Sequence, residues 1–122
     1  MPDPVTGVLD RATFEDLFDS VGGDAEFLAE LVDTYLADAP VQIAVLREAI
    51  AANDATAVVR PSHTLKSASA SLAALGLAEQ CRRLELSATA GSLTGAHEAI
   101  DAISAEFDRV AEALEQAKVR VG

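Results

Sequence analysis

The chain has 122 residues, half of them apolar, with 25 alanines but only four phenylalanines, one tyrosine and no tryptophan. That length suits one domain with one core, and this much alanine and leucine favours packed helices over strands. Nine basic against 20 acidic side chains give a formal charge of −11, which argues against a nucleic-acid or anionic-membrane surface, since both call for basic patches.

In chain order, residues 1–9, with Pro2, Pro4 and Gly7, read as a flexible leader. They lack the basic end and apolar stretch of a signal peptide. Asp10 is the expected N-cap of a short helix to Val21 that carries Phe14, Leu17 and Phe18 and is closed by Gly22 and Gly23. Asp24 opens a long periodic segment through Leu28, Leu31, Val32, Tyr35, Leu36, Ile43, Leu46 and Ile50. Pro40 lies inside it and, by removing a backbone hydrogen bond, is expected to kink or break the helix near residues 36–40. Asn53 and Asp54 read as a stop and an N-capped restart. Three more helices follow: over 54–75 to Gly76, over roughly 77–90 to Gly91, and over about 93–118. The last has the cleanest apolar period, at Ala96, Ile100, Ile103, Phe107, Val110, Leu114 and Ala117.

No stretch alternates with the period of a strand, and no apolar run approaches the ~18 residues of a membrane span. Cys81, the single cysteine, falls on a stripe with Leu77, Leu84 and Ala88 and reads as a small core residue. A lone cysteine makes no internal disulfide and suits a reducing compartment, so a cytoplasmic location is expected. The expected fold class is all-α. Four long amphipathic helices over 10–119 pack most simply as an up-down antiparallel four-helix bundle, with the short N-terminal helix across one end. That architecture by itself says nothing about function.

The helix over 54–75 has two unlike faces. At about 100° per residue, Val58, Leu65 and Leu72 share one side. His63 and the residues three, four and seven beyond it, Lys66, Ser67 and Ala70, cluster nearly opposite. Burying the leucine side would leave the imidazole in solvent, with a cation one turn on and only small residues around it. Such a helix presents an accessible nucleophile with room for a phosphate. Pro61 cannot donate to the Ala57 carbonyl and is expected to distort the turn just before His63. His97, beside Glu98, has no such setting and reads as solvated, as do Arg82 and Arg83. The two histidines show no metal-ligand spacing, and no glycine-rich phosphate loop is present. Neither a metal site nor autokinase or ATPase activity is therefore expected.

Residues 63–85, HTLKSASASLAALGLAEQCRRLE, resemble the signature of histidine-containing phosphotransfer (HPt) domains. His63, Leu65, Lys66, Ser69, Leu72, Leu77, Ala78, Cys81, Leu84 and Glu85 carry the likeness. Upstream, GGDAEFLAELVDTYLADAP is similar to the family's Phe-Leu-x-x-Leu helix, and the last helix matches in length and period, so the likeness spans about residues 8–118. Two positions depart from the pattern: Ser67 stands where the family has a glycine after the lysine, and Ala73 where it has one ten residues after the histidine.

The resemblance implies a phosphorelay intermediate. A response-regulator receiver domain carrying a phospho-aspartate docks, His63 takes the phosphoryl group, and a second receiver removes it, with a sensor histidine kinase, hybrid or otherwise, upstream. Mg²⁺ and most transition-state stabilisation are then expected from the receiver, and no cofactor is bound by this chain. Lys66 offsets phosphate charge, and Ser67 either crowds the partner or donates a hydrogen bond to the phosphate. Glu85 stands where HPt domains often have Glu or Gln near the histidine, which makes it a ring-orienting candidate. Phe27, Leu31, Thr34 and Asp38 form a second stripe on the long helix. With Phe14, Leu17, Phe18 and Ala70 they form the expected receiver-docking patch. A free-standing monomer is expected, without nucleic-acid or membrane partners. Ser67, Ala73 and Pro61 keep one alternative open: a helical scaffold that binds a receiver or kinase without carrying phosphate.

Overall fold

The computed structural model describes residues 8–121, with side chains described to residue 119. Five helices account for its regular structure: α1 (Arg11–Ser20), α2 (Ala25–Ala51), α3 (Ala55–Ser71), α4 (Leu75–Thr89) and α5 (Ala96–Val121). No strand occurs among the described residues. The first three helices begin as the sequence indicates. The side chain of Asp10 accepts from the amide of Thr13, that of Asp24 from Glu26 and Phe27, and that of Asp54 from Ala57. Each cap satisfies amide donors that the first turn would leave bare and contributes about 1 kcal/mol.

Helices α1 to α4 all end in the same double hydrogen bond. After α3, the Ala74 amide donates to the Ser69 carbonyl at 2.9 Å and the Ala73 amide to the Ala70 carbonyl at 3.1 Å. This Schellman closure requires a residue in the left-handed region. Gly22, Asn53 and Gly91 occupy that place after α1, α2 and α4, but after α3 it falls to Ala73, at φ 68°. The α3–α4 boundary therefore differs from the expected one. Helix α3 stops at Ser71 rather than near Gly76, and Gly76 lies in the first turn of α4.

Pro40 does not break α2, which runs unbroken from Ala25 to Ala51. Pro40 is exposed, so the turn that loses a hydrogen bond is on the solvent side, where water can serve the freed carbonyl. Helix α3 likewise continues across Pro61, whose ring is buried. The leader expected over residues 1–9 falls mostly on residues 1–7, which lie outside the described part. Of the residues that follow, Leu9 is buried, and the Asp10 amide donates to the Ala73 carbonyl at 2.8 Å. The start of α1 is thereby tied to the α3–α4 turn.

Helix α2 packs on α3 and α5, and α4 packs on the same two helices. Leu28, Leu46, Leu65, Leu77, Ile100, Ile103 and Leu114 are fully enclosed between them, each contributing roughly 1.5–3 kcal/mol of burial. Tyr35 joins three helices. Its ring tilts against Phe107 at 5.8 Å between centroids, and its hydroxyl lies 2.7 Å from Ser69 Oγ. Burial pushes the Tyr35 hydroxyl up to about 12 and does the same to the Cys81 thiol. Cys81 is thus an inert core residue. No helix of the described residues is long and apolar enough to cross a membrane.

Candidate functional site

Val58, Leu65 and Leu72 of α3 face the core, which turns His63 outward. Its side chain is 59% exposed. The partner comes from α4, where Leu77, Cys81, Leu84 and Ala88 are buried and place Glu85 at the edge of that apolar stripe, against α3. One oxygen of its carboxylate lies 3.0 Å from His63 Nδ1, and the other accepts from Lys66 Nζ at 2.8 Å. Glu85 is 18% exposed, the most enclosed member of the trio.

The protonation pattern follows from charge. The hydrogen bond from Lys66, and to a lesser degree that from His63, hold the Glu85 carboxyl below the ordinary glutamate range against the opposing effect of burial. An ionised carboxylate can only accept, so Nδ1 carries the ring proton and donates it to Glu85. In the neutral ring, the lone pair is then on Nε2, on the ring edge away from Glu85. A cleft of about 360 Å³, lined by Val59, Arg60, His63, Thr64 and Glu85, opens beside the ring. Side chains on a helix lean toward its N-terminus, which places the imidazole over the turn of Val59 and Arg60.

The other expected site residues are distributed unevenly. Ser67 is exposed one turn beyond His63, and Ala70 is half-buried. Phe27 is 47% exposed, Thr34 and Asp38 are exposed, and Leu31, Leu17 and Phe18 are half-buried. Phe14 is a correction: at 5% exposure it belongs to the core and offers no docking surface, because its side chain points to the inner side of α1. Arg82 and Arg83 both bond Glu79, holding that carboxyl at about 2. His97 is exposed on α5.

Two features escaped the sequence reading. Val41 and Val45 are exposed and continue the stripe of Phe27, Leu31, Thr34 and Asp38 at alternating steps of four and three; that spacing was readable. Arg60 borders the cleft one turn before His63, and its offset was equally readable. Among the described residues no group of three or more His, Cys, Asp and Glu side chains is placed to hold a metal ion.

No curated protein matches the chain. Among solved structures, the chain is similar to histidine-containing phosphotransfer protein B (HptB) from Pseudomonas aeruginosa PAO1. The two share 30% identity and superpose with a TM-score of 0.85, over 94% of this chain and 97% of that one. The Hpt domain model matches residues 30–117, a span that holds His63, Lys66 and Glu85 together with α3 and α4 in full. The chain belongs to the Hpt domain family.

Proposed function

We propose that the chain is a phosphorelay intermediate that accepts a phosphoryl group on His63 Nε2 from the phospho-aspartate of a receiver domain and passes it to another response regulator. One observation carries this reading. Glu85 engages both Lys66 and Nδ1, so that in the neutral ring the proton sits on Nδ1 and Nε2 is the nucleophilic nitrogen, beside an open cleft.

The chemistry balances on these groups. The Nε2 lone pair forms the N–P bond as the P–O bond to the donor carboxylate breaks, and that carboxylate leaves with the bonding pair. The ring gains positive charge while its Nδ1 proton stays donated to Glu85, whose negative charge stabilises the developing imidazolium. No separate base is needed. Transfer to the second receiver is the reverse step. Lys66 has three donors, so it can hold Glu85 and still turn one toward the incoming phosphoryl oxygens. Phosphoryl transfer depends chiefly on positioning and electrostatics, and the receiver's Mg²⁺ supplies the remainder.

The docking face in this reading combines Phe27, Leu31, Thr34 and Asp38 of α2 with Leu17, Phe18 and Ala70, extended by Val41 and Val45. Exposed apolar side chains in such a row support a partner surface. The helix adjacency supports an up-down antiparallel four-helix bundle with α1 across one end. In this reading the chain acts as a cytoplasmic monomer that carries phosphate without autokinase or ATPase activity. Ala73 does not weaken the reading, because it holds the left-handed conformation that a glycine would take.

The test is intact-protein mass after incubation with a phosphorylated receiver and Mg²⁺. The wild type gains one acid-labile phosphate and His63→Gln gains none. Failure of the wild type to gain phosphate while still binding the receiver would establish the scaffold alternative instead.

A further inference from the structure

The chain has 20 acidic and nine basic side chains, so an arginine without an acidic neighbour is conspicuous. Arg47 pairs with Asp101, Lys66 with Glu85, Arg82 and Arg83 with Glu79, Arg109 with Glu106, and Lys118 with Asp33. Arg11 is also engaged. Among the described side chains, Arg60 alone of the basic residues has no partner, and it is exposed on the rim of the cleft beside His63.

We infer that Arg60 is a phosphate-contacting residue, which holds the phosphoryl group on His63 Nε2 from the side opposite Lys66. The inference rests on the proposed function and names a further member of the same site. Counting about 100° per residue, Lys66 and Arg60 flank His63 on opposite sides of the α3 surface. Glu85 draws Nδ1 toward the Lys66 side, which puts Nε2 on the other ring edge, and Arg60 borders the cleft beside that ring. Lys66 shares its charge with the Glu85 carboxylate, whereas Arg60 loses no ion pair when it turns to the phosphate. A guanidinium offers a planar fork of donors that matches two phosphoryl oxygens. No other basic residue lines this cleft.

The experiment separates a contact with the phosphate from a contact with the partner. At equilibrium, the ratio of phosphohistidine to phospho-receiver depends only on the free proteins and not on how they dock. A receiver domain is phosphorylated with acetyl phosphate and Mg²⁺, freed of the donor and mixed with the full chain. The partition is then read by phosphate-affinity gel for wild type, Arg60→Ala and Arg60→Lys. Arg60→Ala is expected to lower the transfer equilibrium constant by roughly 3- to 10-fold, within the range of one net hydrogen bond at an exposed site, with Arg60→Lys recovering part of it. An unchanged equilibrium constant overturns the assignment, including the case in which only the transfer rate falls, since Arg60 would then act on the partner. If the wild type carries no phosphate at all, the underlying function fails, and that result is distinct from either outcome for Arg60.

Discussion

Ala73 holds a backbone conformation in which its own methyl group is crowded, at φ 68° and fully buried. A left-handed L-residue of this kind costs about 1 kcal/mol or more, and it persists because the amide of Ala74 and that of Asp10 both rely on the turn it makes. Ala73→Gly is therefore expected to raise stability by about 0.5–1 kcal/mol, after allowance for the looser unfolded chain, seen as a higher urea midpoint with unchanged slope. A lower midpoint would mean the buried methyl contributes more than the strain costs. At Glu85 the relevant variable is pH. Its folded carboxyl titrates below the ordinary value of 4.5, first because of Lys66. The stabilisation is thus present above 4.5 and is lost as pH falls through the folded value. In a His63→Gln background, which isolates the Lys66 half of the cluster, the Glu85 chain should exceed its Glu85→Gln counterpart by no more than about 1 kcal/mol near neutral pH. Acid melts should show that margin shrinking. A margin that grows on acidification would contradict the pairing.

At the scale of the elements, the buried Tyr35–Ser69 hydrogen bond couples α2 to the helix that carries His63. Removing the tyrosine hydroxyl alone leaves a buried Ser69 without its partner, and Tyr35→Phe should cost about 1–3 kcal/mol. The double variant Tyr35→Phe with Ser69→Ala should recover much of that loss, because neither orphan remains. Additive losses in urea unfolding would show that the two hydroxyls do not interact. The helices were legible because apolar residues recur with helical period and Asp10, Asp24 and Asp54 cap them. The α3–α4 boundary was not, because the closing residue is an alanine and Gly76 offered a false stop. That α2 does not break at Pro40 was hidden for a related reason: whether the helix continues depends on which side of it faces water, and that is a tertiary fact. His63, Lys66 and Glu85 were each readable as candidates. Their joining through one carboxylate depends on the register of α4 against α3, which no period within a single helix encodes.

For the whole molecule, the formal charge of −11 offers long-range attraction only to a basic partner surface, so the proposed docking face is read from its apolar contacts. Phe27 is the largest exposed apolar side chain on the proposed face. Interface anchors of this type dominate affinity, so Phe27→Asp should weaken receiver binding at least about tenfold in a titration while leaving the melting temperature nearly unchanged. Binding that survives the charge would place the receiver elsewhere on the bundle. Phe14→Ala should behave in the opposite manner, lowering stability by about 3–5 kcal/mol through a core cavity.

The central claim is that Glu85 holds the Nδ1 proton of His63 and so directs phosphate to Nε2. The most direct measurement is the nitrogen and phosphorus NMR spectrum of the phosphorylated full chain, labelled with nitrogen-15 in its histidines. One phosphohistidine is expected, at residue 63, with phosphorus coupled to Nε2 and a proton retained at Nδ1. Phosphorus on Nδ1, or phosphate carried by His97 instead, would contradict it.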